Sequence, residues 1–106
     1  MKDYVLGEDY ELSLAFVGTA RSQTLNRAYR GKDNATNVLS FPLSKKSGEI
    51  VITPQVARRE ARASGMSEKG YLGFLFIHGL LHLDGYAHGS RMTKKERELV
   101  KHFSLR

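Results

Sequence analysis

The chain has 106 residues, with 17 Lys and Arg against 11 Asp and Glu, a formal net charge of +6, four His, and neither Cys nor Trp. A chain of this length supports one hydrophobic core and little more than one surface site, so a single domain over residues 1–106 is expected. The absence of cysteine excludes disulfide staples, thiolate nucleophiles and Cys-based zinc sites, and 41% apolar with 26% charged residues excludes a disordered tail or a fibrous repeat.

Positive charge favours an anionic partner without choosing among RNA, DNA, ribosomes and membrane headgroups. The longest apolar stretch, Tyr71 to Leu83, has 13 residues and contains His78 and His82, too short and too polar to span a bilayer. Asp3, Glu8, Asp9 and Glu11 sit where a signal peptide would be basic and apolar. A soluble cytoplasmic protein with no membrane association is the expectation.

Glu11 to Val17 alternates Leu12, Leu14 and Phe16 with smaller residues, the period of a strand. Thr19 then caps a helix to about Tyr29, with Leu25, Ala28 and Tyr29 assigned to its inner face and Gly31 as its stop. Val38 to Phe41 and Glu49 to Ile52 read as strands joined by the polar loop Ser44 to Gly48. Pro54 opens a helix to Ser64, ended by Gly65, whose Arg58, Arg59 and Arg62 belong on its solvated side. Ser67 begins a helix central to the core, stopped by Gly85. Thr93 and Glu96 have capping-box spacing, and Leu99, Val100 and Phe103 supply the stripe of a last helix. The order of elements predicts an α+β fold with helices packed against a small sheet.

Three of the four histidines fall in one segment of 11 residues, His78 to His88. His78 and His82, four apart on a helix, project from one face a turn apart, and Gly85 lets the chain turn back so that His88 reaches a third corner. Three imidazoles leave a fourth position for water or substrate and suit Zn²⁺, with Ni²⁺ or another divalent metal as alternatives. The spacing His-x3-His-x5-His, with Gly85 between, is also that of metzincin proteases, but their general-base glutamate is Gly79 here, so peptide hydrolysis lacks its proton acceptor. His102 lies outside this group and reads as a helix-end residue.

These motifs resemble the YbeY family of bacterial rRNA-maturation endoribonucleases. His78-Gly79-Leu80-Leu81-His82-Leu83-Asp84-Gly85-Tyr86-Ala87-His88 is similar to the family's H-G-x-L-H-L-x-G-Y-D-H signature. Leu25 to Pro42 resembles its L-N-x-x-Y-R…T-[DN]-V-L-S-F-P segment, and Gly48 to Ile52 its G-[DE]-I-x-I strand. The resemblance implies a mixed sheet, a zinc site of His78, His82 and His88 on the central helix and the following turn, Arg30 and His82 as catalytic residues, and a basic cleft. It also implies action on 16S rRNA in late ribosome assembly, with the small ribosomal subunit and a ribosomal protein or ribosome-associated GTPase as partners, and no DNA. Two departures stand out: Ala87 replaces the family's Asp before the third histidine, and the amino-terminal region is short.

Arg suits phosphate because its planar, permanently charged fork donates two hydrogen bonds to phosphate oxygens. Arg27, Lys32, Arg58, Arg59 and Arg62 are candidates for tracking an RNA backbone beside Arg30, and Tyr29, Phe41 and Tyr86 for stacking on unpaired bases. Thr36, Asn37 and Ser40 are expected to line the cleft. The competing expectation is a non-catalytic assembly factor whose zinc is structural, which would place a protein ligand such as Asp84 in the fourth position.

Overall fold

The computed structural model describes residues 1–105. Its elements are α1 (Lys2–Leu6), β1 (Glu11–Phe16), α2 (Thr19–Arg30), β2 (Val38–Ser44), β3 (Ser47–Ile52), α3 (Pro54–Ser64), α4 (Glu68–Leu83) and α5 (Ser90–His102). The sheet order is β1-β3-β2, with β1 parallel and β2 antiparallel to the central β3. A mixed sheet with helices against it is the expected α+β architecture. The β2–β3 connection is tighter than expected, because both strands run into the polar segment and leave only Lys45 and Lys46 between them. Pro42 is tolerated in β2 because that strand is an edge, and the register shifts just after it, between Pro42 and Ser44.

The central strand meets the central helix at the core. Ile50, Ile52, Leu75 and Leu80 are almost completely buried in one cluster with Val38 and Ala57. The opposite side of α4 contributes Ile77 and Leu81 to a second cluster with Met92 and Leu99 of α5. A helix flanked by packed layers on two sides must be apolar over most of its circumference, which explains the run from Tyr71 to Leu83. Ser67 caps it, its hydroxyl accepting from the Gly70 amide at 3.0 Å.

Two glycines set the distance between these layers. A β-carbon on Gly79 would meet Ile50 Cδ1 at 2.9 Å and two further Ile50 carbons at 3.1 Å. A side chain on Gly48 would overlap the hydroxyl of the buried Tyr10 and a Leu83 methyl. Because position 79 faces the sheet at contact distance, a protease-type glutamate could not be housed there. The Ser40 hydroxyl donates to the Gly79 carbonyl at 3.1 Å and stitches β2 to the same turn of α4.

Three local expectations are corrected. The inner face of α2 is polar: Ser22 and Asn26 are buried, whereas Ala28 is exposed and Tyr29 is 68% exposed. That face packs on the loop before β2 rather than on an apolar layer, so hydroxyl and amide groups are what it needs. Leu14 and Phe16 of the edge strand β1 remain exposed despite their alternation. The last helix starts at Ser90, three residues before Thr93, whose hydroxyl instead donates back to the Gly89 carbonyl at 3.1 Å.

Gly79→Ala should therefore lower stability. Overpacking a rigid core costs about 1–3 kcal/mol, and alanine's helix preference returns up to about 1 kcal/mol, so we expect a net loss of about 1–2 kcal/mol in urea unfolding. Adding Ile50→Val, which deletes the nearest methyl, should recover part of it.

Candidate metal centre and cleft

The polar stripe on α4 is His78 and His82, both half-buried on a helix that is otherwise largely apolar. The helix ends in a turn closed by two backbone bonds, Gly85 N–H to the His82 carbonyl at 3.1 Å and Tyr86 N–H to the Leu81 carbonyl at 2.9 Å. This pairing places the residue after the cap at positive φ, and Gly85 has φ 96°. The turn does two things. It brings the Tyr86 carbonyl to 3.1 Å from His82 Nδ1, and it returns the chain so that the His88 ring lies 4.5 Å from that of His82 and 5.3 Å from that of His78, between centroids.

The hydrogen-bond partners assign the tautomers. His78 Nδ1 is 3.0 Å from Oε1 of Glu96, on α5. A carbonyl and a carboxylate oxygen accept, so both Nδ1 atoms carry hydrogen, and in the neutral ring each Nε2 then presents a lone pair. Those two Nε2 atoms face each other at 3.1 Å. Two nitrogens sharing a tetrahedral ion with bonds of 2.0–2.1 Å would be about 3.3 Å apart. The ligand atoms of all three histidines lie within 4.8 Å of one another. Burial, followed by the neighbouring His78 and His88 and then Arg30, holds the His82 imidazole below its ordinary pKa and so in the neutral, metal-ligating form. The donor set fits a divalent metal held by His78, His82 and His88.

Among the described residues no carboxylate joins this group, and Asp84 stays exposed outside it. The cluster opens into a cavity of about 780 Å³ lined by Tyr29, Arg30, Thr36 to Phe41 and the three histidines. A second groove, of about 640 Å³, runs along Asp84 to Arg91, and His88 belongs to both. Arg30, Thr36, Asn37 and Ser40 are thus brought to the histidines as expected. Arg27, Lys32, Arg58 and Arg59 do not line the cavity. Arg27 pairs with Asp33 at 3.4 Å and Arg58 with Glu68 at 3.2 Å, both at the surface. Tyr86 is half-buried against the α4–α5 cluster and lines the second groove rather than the cavity that holds Arg30.

Several residues build the cleft without having been singled out for it. Ser22 clamps the loop, its hydroxyl accepting from the Thr36 amide at 2.9 Å and lying 3.1 Å from the Thr36 carbonyl. Asn26 donates to the Asn34 carbonyl at 2.9 Å. Asn37 donates to Glu60 at 2.9 Å, and Tyr71 donates to the same carboxylate oxygen at 3.0 Å. Burial first, and then the Glu60 bond, push the Tyr71 hydroxyl up to about 12, so it remains a donor throughout the physiological range. Glu96 is the most informative omission. Met92, Glu96 and Leu99 follow i, i+4, i+7 spacing on the inner face of α5, so a carboxylate standing in an apolar stripe was the visible signal.

Three imidazoles at the mouth of an open cleft, with an arginine on its wall, have the form of a metal-centred hydrolase site that keeps a coordination position for substrate or water. The family description "Endoribonuclease YbeY" matches residues 1–104. The chain is 43% identical to Endoribonuclease YbeY of Sulfurovum sp. (strain NBC37-1) over 108 residues, covering 90% of this chain and 74% of that one. It is 40% identical to the protein of the same name from Alkaliphilus metalliredigens over 113 residues, covering 92% and 73%. The solution structure of TM1509 from Thermotoga maritima aligns with a TM-score of 0.66 at 29% identity, over 93% of this chain and 73% of that one. The chain belongs to the YbeY family.

Removing the Glu96 acceptor frees His78 to rotate or change tautomer. Glu96→Ala should weaken Zn²⁺ binding about 10- to 100-fold in competition with a chromogenic chelator, and Glu96→Gln, which keeps an acceptor oxygen, by less.

Proposed function

We propose that this chain is a metal-dependent endoribonuclease that cuts single-stranded RNA at the His78–His82–His88 cluster, with Arg30 on the scissile phosphate. Membership of the endoribonuclease family supports the reaction class. The observation that carries the placement is the convergence of three imidazoles and Arg30 on one open cavity. Zn²⁺ suits an all-imidazole set best, with Ni²⁺ or another divalent ion as substitutes.

When bound, the metal supplies a Lewis acid for a phosphoryl oxygen and lowers the pKa of water toward neutrality. The chain's own groups do the rest. Glu96 and the Tyr86 carbonyl each hold an Nδ1 hydrogen, which fixes the His78 and His82 rings with Nε2 inward. Arg30 stays protonated and offers its fork to two phosphate oxygens, stabilising the charge that accumulates on phosphorus. Ser40, Asn37 and the Ser22-clamped Thr36 hold the opposite wall, their polar groups committed to α4, α3 and α2. With a groove on either side of His88, a strand can enter and leave without presenting an end, as internal cleavage requires.

The substrate within this reading is rRNA of the small ribosomal subunit, in the cytoplasm, with a ribosomal protein or ribosome-associated GTPase as further partner. Among the described residues no helix is long and apolar enough to cross a membrane. The alternative of a purely structural zinc in an assembly factor is disfavoured because Asp84 does not complete the histidine group.

The test is cleavage of a labelled single-stranded RNA by zinc-loaded protein beside His82→Ala and Arg30→Ala proteins purified identically. Loss of metal and activity in His82→Ala, and a fall of about 10²–10³-fold with metal retained in Arg30→Ala, are expected. Equal cleavage by all three proteins, or none by any, would favour the assembly factor.

A further inference from the structure

Tyr29 is an aromatic residue that the packing of the protein does not account for. It sits in the last turn of α2, next to Arg30, and is 68% exposed. It belongs to neither hydrophobic cluster, and its hydroxyl makes no hydrogen bond among the described residues. Its ring contact is with Phe41 on β2, edge to face, with centroids 4.8 Å apart and planes at 65°. Both rings line the cavity that holds the three histidines. A ring braced at one side and open over most of its surface, in the cleft where the phosphate is handled, has the form of a stacking platform. Unpaired bases bind such platforms because every base offers a π-face, whereas paired bases in a duplex are already stacked on their neighbours.

We propose that Tyr29, braced by Phe41, binds one unpaired nucleobase of the substrate strand close to the scissile phosphate, and that this contact contributes to selection of single-stranded over double-stranded RNA. The inference rests on the endoribonuclease reading and deepens it. The guanidinium of Arg30 and the ring of Tyr29 line the same cavity, so a phosphate held by the first leaves a base of the same or the adjoining nucleotide near the second. The αL turn at Gly31 ends the helix immediately after them and keeps both at its rim.

The experiment scans a single abasic nucleotide along a labelled single-stranded RNA and measures cleavage kinetics with wild-type, Tyr29→Ala and Tyr29→Phe proteins, all zinc-loaded. With the wild-type protein, one abasic position near the cut should lower kcat/KM roughly five- to a hundredfold. Tyr29→Ala should show a similar loss on the intact strand and no further loss from that abasic position, whereas Tyr29→Phe, which keeps the ring, should behave as wild type. Zinc stoichiometry should be unchanged in both variants, and cleavage of duplex RNA should fall far less than that of the single strand. Wild-type cleavage with equal abasic losses in wild type and Tyr29→Ala would overturn the platform while leaving the ribonuclease intact. Absence of RNA cleavage by the wild-type protein would overturn both.

Discussion

The close approach of α4 to β3 is the constraint on which the rest of the molecule depends. Gly79 has no β-carbon, so the helix backbone comes down onto Ile50, and the Ser40 hydroxyl ties the Gly79 carbonyl to the neighbouring strand. Once that contact is made, the turn of α4 that begins at His78 has a fixed depth. The histidine stripe then faces the wall formed by β2, and the width of the cleft follows from where helix and sheet touch. A glutamate at position 79, which would suit a protease motif, is incompatible with this packing. The departure from the protease pattern is a consequence of architecture as well as chemistry.

The site is then completed by polar groups that are almost all committed to one another. Each Nδ1 of the helical histidines has an acceptor, from α5 for His78 and from the backbone for His82. The cleft residues Asn37 and Ser40 each spend a side-chain donor on holding the wall, while Arg30, the imidazoles and the exposed Tyr29 ring line the space a ligand would enter. The preorganisation resides in the connections between elements: α2 clamps the loop before β2, α3 holds Asn37, and α5 orients His78.

Much of this was legible in the sequence because the signals were local. His78, His82 and the stop at Gly85 lie within one helix and its cap, so helical periodicity alone places two rings together and predicts the return of the third. β1 was marked by its alternation of Leu12, Leu14 and Phe16, β3 by the run Ile50-Val51-Ile52, and α3 by Pro54 and Gly65. What escaped depended on partners distant in the chain. Glu96 reads locally as a capping residue for Thr93, and only the docking of α5 against α4, 18 residues away in sequence, reveals its use. Ser22 and Asn26 look like solvated helix residues until the loop from Asn34 to Thr36 is folded over them. The five-residue α1 carries too little periodicity to be read at all. Tyr29 reads in sequence both as an inner-face aromatic and as a stacking candidate, and its exposure removes the first reading because the element beside α2 is a polar loop.

The contact between Glu96 and His78 also makes the carboxy-terminal helix part of the metal's environment. An ion held by the three histidines joins α4 to the His88 loop, and the carboxylate on His78 extends that linkage into α5. Fraying of α5 and release of the ion are therefore coupled in both directions: a loosened helix frees His78 to turn, and a bound ion resists the loosening. The helix that carries Met92 and Leu99 into the second core cluster is thereby also the one that fixes a histidine ring, so one docking contact serves packing and ligand geometry together.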